Sequence, residues 1–467
     1  MRASKVKISN VIDTARRLDP SYHLSEAVTV RSLLENSPYH LLKLKDVSER
    51  IFNGGRYKRV YVSDPDHGYK FLSSSDILAA DLESVKMVSK RYMGGVKELA
   101  LEKGWTLITR SGTIGNTAFA NAKHAQKLAS EDVIRLVPNN ILRAGLIYAY
   151  LSSKFGYTLL TQGTFGAVIQ HIECPFVEEL PIPKFPESFQ KEVDDLIQDS
   201  ARLREEAADE LVLAEKILKE KAGLRDLTPN DYDYFGQHNA TRRPSCFIRK
   251  ASSIKPKSIN AFNYSNRIAT IYGIIPNSEP LKNVLQNGST FSTGSFPRVE
   301  VKDGCGVMLI NQSDAFDTII KGKWISKRNV NLTGLVEYGE VIVAGVGTLG
   351  ENETFCRTLF GNEDMVGQLI SGEFIRMKTN GKVPSGYLYA WLNSDYGFRL
   401  IRNTQAGTKL CRPIPDLFLE IPIPILSKTD MDEIDKLVKT AHTKRHEANV
   451  KELKAISLVE EEIEKWK

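Results

Sequence analysis

The sequence predicts an α+β (mixed α/β) protein made of two tandem globular units, each followed by a long helix, the two helices pairing as an antiparallel coiled coil. Three observations carry this prediction. The chain repeats itself at a nearly constant offset; each copy opens with short β-rich runs punctuated by Gly, Asn, Ser and Pro; and each copy ends in a long stretch without Gly or Pro.

The repeat is clearest in the middle of each copy. Tyr148-Ala-Tyr-Leu-Ser-Ser-Lys-Phe-Gly156 returns 241 positions later as Tyr389-Ala-Trp-Leu-Asn-Ser-Asp-Tyr-Gly397, and Leu180-Pro-Ile-Pro183 returns at the same offset as Ile421-Pro-Ile-Pro424. Ile134-Arg-Leu and Ile375-Arg-Met share that offset too. Upstream it slips by a few residues, as loop insertions in diverged copies produce: Arg59-Val60 matches Arg298-Val299, Ser89-Lys-Arg91 matches Ser326-Lys-Arg328, and Gly112-Thr-Ile-Gly115 matches Gly347-Thr-Leu-Gly350. A weaker echo links Arg17–Tyr22 with Ile259–Tyr264.

Within each copy, runs such as Thr106–Thr109 and Val341–Val343 read as strands. One helix is expected from Leu142 to Leu160, with its counterpart from Tyr387 to Ile401. The Pro-Ile-Pro segments, which lack N–H donors, read as an edge strand or an exit. Beyond them, Val193, Ile197, Ser200, Ala207, Leu211, Ala214 and Leu218 recur in steps of three and four, as do Ile434, Val438, Ala441, Ala448, Ala455 and Val459. A helix of about 33 residues extends about 50 Å at 1.5 Å per residue. The expected boundaries are 1–187 for the first domain, 188–225 for its helix, 226–426 for the second domain and 427–467 for the second helix. Arg204 and Arg445 lie along the seams, and Glu452 stands where the first copy has Leu211. Two readings are open: solvated charges flanking the seam, or a charge pair that sets helix register.

Composition excludes several classes. The 467 residues are 42% hydrophobic and 26% charged with net charge +6, ordinary for a soluble protein and compatible with an anionic partner. The five cysteines, Cys174, Cys246, Cys305, Cys356 and Cys411, form no C-x-x-C pair, so neither a disulfide framework nor a zinc site is expected. No apolar run has the length of a signal peptide core or a membrane span, and a cytoplasmic protein is expected. There is no phosphate-binding Gly-x-x-x-x-Gly-Lys-Ser/Thr loop, no His-Glu-x-x-His and no Pro-Pro pair of the kind amino-methyltransferases use to hold a target amine. Glu300-Val-Lys302 matches only a fragment of a nuclease metal site. Of the eight histidines, His442 and His446 alone have helical ligand spacing, and without a third ligand a solvated helix face is the expectation. No catalytic or metal-ligating residue is assigned.

A duplicated α/β unit ending twice in Ile/Leu-Pro-Ile-Pro and a charged helix, with Ser111-Gly-Thr-Ile-Gly115 in the first copy, resembles the specificity subunits of type I restriction-modification systems. The resemblance spans the whole chain. It implies that each globular unit is a target-recognition domain reading one half of a bipartite, asymmetric site in double-stranded DNA. It further implies that the helices act as a spacer and dock two modification subunits, which bind S-adenosylmethionine and methylate adenine, while separate restriction/translocase subunits cut. This chain would then bind no cofactor itself. The alternatives are a restriction or modification enzyme with an unrecognised catalytic site, and a coiled-coil scaffold unrelated to DNA.

Candidate DNA contacts follow from the paired motifs. The two glycine turns offer backbone N–H groups and the hydroxyls of Ser111, Thr113 and Thr348 to a phosphate, or are simply tight turns that need glycine. Lys90 and Arg91 recur as Lys327 and Arg328, either phosphate contacts or a solvated charged face. The loops after the domain helices, Gln162–His171 and Asn403–Arg412, match in length and differ in polar content. Thr164, Gln170 and His171 in the first, and Gln405, Thr408, Lys409 and Arg412 in the second, are candidates to read bases. Arg110 has no basic counterpart, so its role would belong to one domain.

Overall fold

In a computed structural model, residues 6, 8, 11, 20–164, 170–228, 231, 247–254, 257–331 and 334–467 are described. They divide into two compact units, the first formed by Met1–Glu205 with Glu447–Lys467 and the second by Glu206–His446. Residues 17–19 of the weak echo, residues 165–169 of the first candidate loop, His238 and Cys246 lie outside the described residues.

In the first unit, helix α1 (Glu26–Glu35) precedes strand β1 (Leu41–Lys43), and then β2 (Ser48–Asn53), β3 (Tyr61–Val62), β4 (Gly68–Leu72), β5 (Met87–Ser89), β6 (Thr106–Thr109), β7 (Thr117–Phe119), β8 (Leu128–Ala129) and β9 (Val133–Pro138). Helices α2 (Ala144–Ser152) and α3 (Lys154–Gln162) follow, then β10 (Pro181–Pro183) and the long α4 (Glu187–Lys221), whose residues up to Glu205 belong to this unit and the rest to the second. The strands form an antiparallel sheet in the order β2-β9-β6-β7 and a second sheet in the order β3-β5-β4-β8, where β4 and β8 run parallel. The central sheet is covered on both faces. On β6, Ile108 joins the core with α2 and α3, whereas Leu107 joins a separate cluster with Leu72, Ile77 and Trp105, the period of two that a twice-covered strand requires.

The second unit repeats this plan with α5 (Asn266–Ile274), β11 (Ser278–Pro280), β12 (Val307–Ile310), β13 (Lys323–Ile325), β14 (Val341–Ala344), β15 (Thr358–Phe360), β16 (Leu369–Ile370) and β17 (Phe374–Met377). It continues through α6 (Ser385–Asn393), α7 (Asp395–Asn403), β18 (Gln405–Ala406), β19 (Arg412–Pro413), β20 (Pro422–Pro424) and α8 (Lys428–Glu464), whose residues from Glu447 onward belong to the first unit. Its sheets are β15-β14-β17, antiparallel, and β13-β12-β16, in which β12 and β16 are the parallel pair. The expected Pro-Ile-Pro strands each close a two-stranded antiparallel ribbon with the first strand of the same unit, β10 on β1 and β20 on β11.

One expectation is corrected in both units. The single helix read over 142–160, and over 387–401 in the second copy, is two helices. Ser153 and Ser394 take extended backbone angles, and each hydroxyl caps the next helix by accepting from the N–H of Gly156 or Gly397, both at 3.2 Å. The two helices of each pair then touch so closely that a Cβ on Gly156 would lie 2.2 Å from the Tyr150 carbonyl oxygen, and one on Gly397 would lie 2.2 Å from that of Trp391. Apolar periodicity runs through the break because α2 is buried on every side.

Both long helices are anchored on their own domains by one repeated contact. Asp194 of α4 accepts the Gly145 N–H at 2.8 Å, and Asp435 of α8 accepts that of Gly386 at 2.8 Å. The expected seam residues Val193, Ile197, Ser200, Ala207, Ala214 and Leu218, and all six expected on α8, are buried; Leu211 is partly buried. In the second unit Lys444 pairs with Glu206 and Glu210 while Lys221 pairs with Asp430, so partners advance along one helix as they retreat along the other.

In the first unit the choice between solvated and paired charges is decided for Arg204. Its guanidinium ion-pairs with Glu452 and donates to the Asn449 side chain at 2.8 Å, and the buried Tyr148 hydroxyl donates to the other Glu452 oxygen at 2.6 Å. Arg445, the equivalent in the second unit, is half-buried. The solvated face expected for His442 and His446 is also corrected. His442 is buried, stacked on Phe360 at 4.9 Å and edge-on to Tyr389 at 5.2 Å, and burial holds its imidazole well below the usual histidine range; His446 Nδ1 lies 2.7 Å from Asp364. Among the described residues, no group of three or more His, Cys, Asp or Glu side chains could hold a metal ion, and no helix is long and apolar enough to cross a membrane.

Candidate nucleic-acid interface

The fold brings the two candidate loops of each unit together at the same end of the central sheet. In the first unit, the chain leaving β6 forms an isolated antiparallel bridge between Ser111 and His171, and the Ile172 N–H donates to the Arg110 carbonyl at 3.2 Å. In the second, the chain leaving β14 bridges Gly347 with Cys411 through two hydrogen bonds of 3.2 and 2.7 Å. A side chain from the loop after the neighbouring sheet's strand braces each junction. Ser74 donates to the Ser111 carbonyl at 2.7 Å, and Gln312 to that of Val346 at 2.7 Å. Ser111, Thr113, His171 and Gln170 thus share one junction, while Thr348, Thr408, Lys409 and Arg412 share the other.

The turns themselves differ. Gly112 and Gly115 have φ of 77° and 82°, values that favour glycine, and the Gly115 and Asn116 N–H groups are consumed inside the turn by Thr109. Gly115 packs on Thr161 of α3. At the equivalent helical position the second unit has Arg402, buried, whose guanidinium donates to the carbonyls of Leu349 and Gly350, each at 2.9 Å, while Arg399 pairs with Glu351. Both turns are therefore held against the second domain helix, and in both Thr113 and Thr348 remain exposed.

The post-helix loop of the second unit is a β-hairpin. Gln405 and Ala406 pair with Pro413 and Arg412, and Thr408, Lys409, Leu410 and Arg412 are exposed at and beside its tip. Gln405 departs from expectation: it is 3% exposed, its side chain turned inward at the hairpin base, so it is removed from any surface that meets a ligand. The base is tied down by Asn263, whose side chain donates to the carbonyls of Asn403 and Gln405. The first unit has a related tie, the Gln162 side chain donating to the Tyr22 carbonyl at 3.2 Å, so the weak echo between the two entry segments marks one structural role. Thr164, at the end of α3, donates its hydroxyl to the Thr161 carbonyl.

Charge differs between the junctions. Arg110 is paired with Glu173 and lies 3.8 Å from Asp132, and His171 Nε2 lies 3.6 Å from Glu173. Lys409 and Arg412 have no acidic partner among the described residues.

Lys90, Arg91, Lys327 and Arg328 are not part of these junctions. Gly68 of β4 pairs with Ser89, so Lys90 sits at the start of β4, whereas Ser74 lies beyond its far end; five residues of strand span about 17 Å. Val307 pairs with Ile325 in the second unit, which places Lys327 and Gln312 at opposite ends of β12. Lys90 Nζ donates to the Asp66 carbonyl at 3.0 Å, Arg91 lies over the Tyr92 ring at 5.3 Å, and Lys327 lines a cavity of about 260 Å³ with Trp324 and Gln368.

Three sets of residues were missed by reasoning from the sequence. Ser74 and Gln312 are chemically unlike, and the slipping offset upstream hides that they match. Arg399 and Arg402 correspond in the repeat to Thr158 and Thr161, so identity gives no signal. Arg135 and Arg376 sit at the same place in β9 and β17 and are fully buried: Arg135 donates to the carbonyls of Ala129, Ser130, Val133 and Leu99, while Arg376 pairs with Glu340 at 2.8 Å. Their repetition at an offset of 241 was the available signal.

Each unit thus presents a bridged pair of loops at one end of its central sheet. Residues 36–199 match the family model described as the type I restriction modification DNA specificity domain. Among solved structures, the S subunit of a type I restriction-modification system from M. genitalium is similar, with 12% identity over 92% of this chain and 96% of that chain and a TM-score of 0.37. The HsdS subunit from Thermoanaerobacter tengcongensis is 11% identical over 92% and 96% with a TM-score of 0.29. A structure described as showing complex assembly and conformational transition of the type I R-M system is 13% identical over 91% and 98%, also at 0.29. No curated protein sequence matches the chain.

Proposed function

We propose that this chain is the DNA-sequence-recognition subunit of a type I restriction-modification complex and is not catalytic alone. Each unit is a target-recognition domain that reads one half of a bipartite, asymmetric site in double-stranded DNA. The observation that carries this reading is the repeated junction: in both units the turn after the central strand is bridged to the loop after the domain helices, while the side chains exposed there differ. Thr113 and Gln170, with the half-buried His171, are presented at one junction, and the exposed Thr348, Thr408, Lys409 and Arg412 at the other. An equivalent scaffold with different polar tips is what two readers of unlike half-sites need, because base edges are distinguished by donor and acceptor pattern. The match of residues 36–199 to the DNA specificity domain model supports the same reading.

The long helices pair as an antiparallel coiled coil and serve as the spacer, whose length sets the number of unread base pairs. They dock two methyltransferase subunits, which bind S-adenosylmethionine, and the assembly recruits restriction/translocase subunits. It works in the cytoplasm. Lys90, Arg91, Lys327 and Arg328 hold phosphates away from the base-reading junctions.

The test is to map methylated adenine across the genome of cells carrying this gene with its neighbouring modification gene, and again after its deletion. A split, asymmetric motif that disappears with the deletion is the expected result. Methylation motifs that persist unchanged, with active partners, would overturn the assignment.

A further inference from the structure

The hairpin of the second unit carries one side chain that neither phosphate nor guanine contacts explain. Leu410 stands at the tip between Lys409 and Arg412 and is 64% exposed. The backbone on both sides of it is fixed. Its neighbour Cys411 is buried and exchanges two hydrogen bonds with Gly347, Ala406 pairs with Arg412, and the Ile414 N–H donates to the Thr404 carbonyl at 2.8 Å. The tip turns through Gly407 at φ 114°. An apolar side chain is thus held out in water by a braced ribbon, against the burial tendency of leucine.

The same residue type recurs in the other copy. Aligned at the offset of 241, Asn403–Arg412 and Gln162–His171 share little, but Gly407 falls on Gly166 and Leu410 on Ile169. A glycine and a branched apolar residue three positions later are what the two sequences keep while their polar residues change.

We infer that Leu410 is a specificity-determining residue that packs on the C5 methyl group of a thymine in the major groove, beside the contacts of Lys409 and Arg412. This rests on the proposed DNA-reading function of the second unit. A two-stranded ribbon fits the major groove, and the thymine methyl is the one apolar group that an unmodified base pair presents there. Lys409 and Arg412 reach phosphate or guanine acceptors, so the three side chains together distinguish a thymine next to charged or acceptor-rich surface.

The experiment uses the full chain assembled with its modification subunits and duplexes bearing the mapped site, with each thymine replaced in turn by deoxyuridine, which removes only the methyl group. For the wild-type complex, one replacement lowers affinity about fourfold, the factor that ~0.8 kcal/mol per buried methyl-sized group gives. Leu410→Ala binds the unmodified site correspondingly more weakly and no longer distinguishes thymine from uracil at that position. Leu410→Ile, the residue at 169, retains the distinction. A wild-type complex that binds the site specifically yet is insensitive to every replacement, or a Leu410→Ala complex that keeps the wild-type pattern, overturns this inference alone. Absence of sequence-specific binding by the wild-type complex overturns the proposed function and this inference with it.

Discussion

Replacing Glu452 by Leu installs on α8 the residue that position 211 already carries on α4, and the surroundings determine what that costs. Glu452 is 5% exposed and its partner Arg204 18%. Removing the carboxylate leaves the guanidinium with the Asn449 side chain and takes the carboxylate acceptor from the buried Tyr148 hydroxyl. Breaking a buried pair by deleting one member costs about 3–5 kcal/mol, and the residual access of Arg204 to water reduces this to about 2–4 kcal/mol. Removing both charges is milder: Arg204→Met with Glu452→Leu is expected within about 1 kcal/mol of wild type, because the desolvation cost of both groups disappears together. Urea unfolding of wild type, both single variants and the double variant closes a double-mutant cycle with a coupling of at least about 1.5 kcal/mol. Hydrogen exchange of the α2 amides assigns the effect to the first unit without assuming that the whole chain unfolds in one step. Additive single effects, or a Glu452→Leu variant within about 0.5 kcal/mol of wild type, would refute the network as a cooperative unit.

Further predictions concern both units. Alanine at Gly156 or Gly397 forces apart two helices whose backbones leave no room for a Cβ, and a destabilisation of about 3 kcal/mol, read as a melting temperature lower by at least about 5 °C, is expected; a shift under about 2 °C would contradict the close approach. His442 is held neutral by burial, and His124 is likewise pushed down to about 4. Their folded pKa values lie below the unfolded value near 6.5, so their contribution is complete above about pH 6.5 and declines as pH falls toward the folded values, at about 1.4 kcal/mol per pH unit for each. His442→Phe keeps the stack on Phe360 and should flatten the decline of stability between about pH 6.5 and 5; an unchanged slope would show that the imidazole is not the titrating group. Replacing Lys409 and Arg412 together by Ala should weaken site binding at least about tenfold. It should also lower the slope of log affinity against log salt by about 0.9 for each phosphate that these two cations neutralise; identical affinity and slope would remove the hairpin from the DNA.

Much of the framework was legible because it rests on local rules. The long helices follow from Gly- and Pro-free stretches with a three-four apolar repeat, and the Pro-Ile-Pro segments become the ribbons β1-β10 and β11-β20 because Pro cannot serve an interior ladder. The helix break was illegible by periodicity alone, since a helix buried on all sides has no polar stripe to lose; Ser153 and Gly156, repeated as Ser394 and Gly397, were the readable signs. The fate of Arg204 and His442 could not be settled by spacing. A charged or polar residue next to a seam is solvated or buried according to what the distant chain brings to it, here Tyr148 in one unit and Phe360 with Tyr389 in the other. Gln405 illustrates the same limit: within a polar loop, sequence does not say which amide faces inward.

The contacts that the two units share distinguish a common scaffold from the loop tips that vary. Asp194–Gly145 and Asp435–Gly386, the serine caps at 153 and 394, and the Ser111–His171 and Gly347–Cys411 bridges recur although most side chains around them have changed. Each of these contacts positions backbone: a helix end, a helix break, or the junction of two loops. The tips beyond the bridges do the opposite. A turn braced by Thr161 in one unit is braced by Arg402 in the other, and Arg110 is neutralised by Glu173 where Lys409 and Arg412 stand without acids among the described residues. Divergence of the exposed side chains over a similar junction is what the proposed reading of two unlike half-sites requires. It also locates the residues to exchange: transplanting Thr408–Arg412 into the first unit should alter one half of the methylated motif and leave the other untouched.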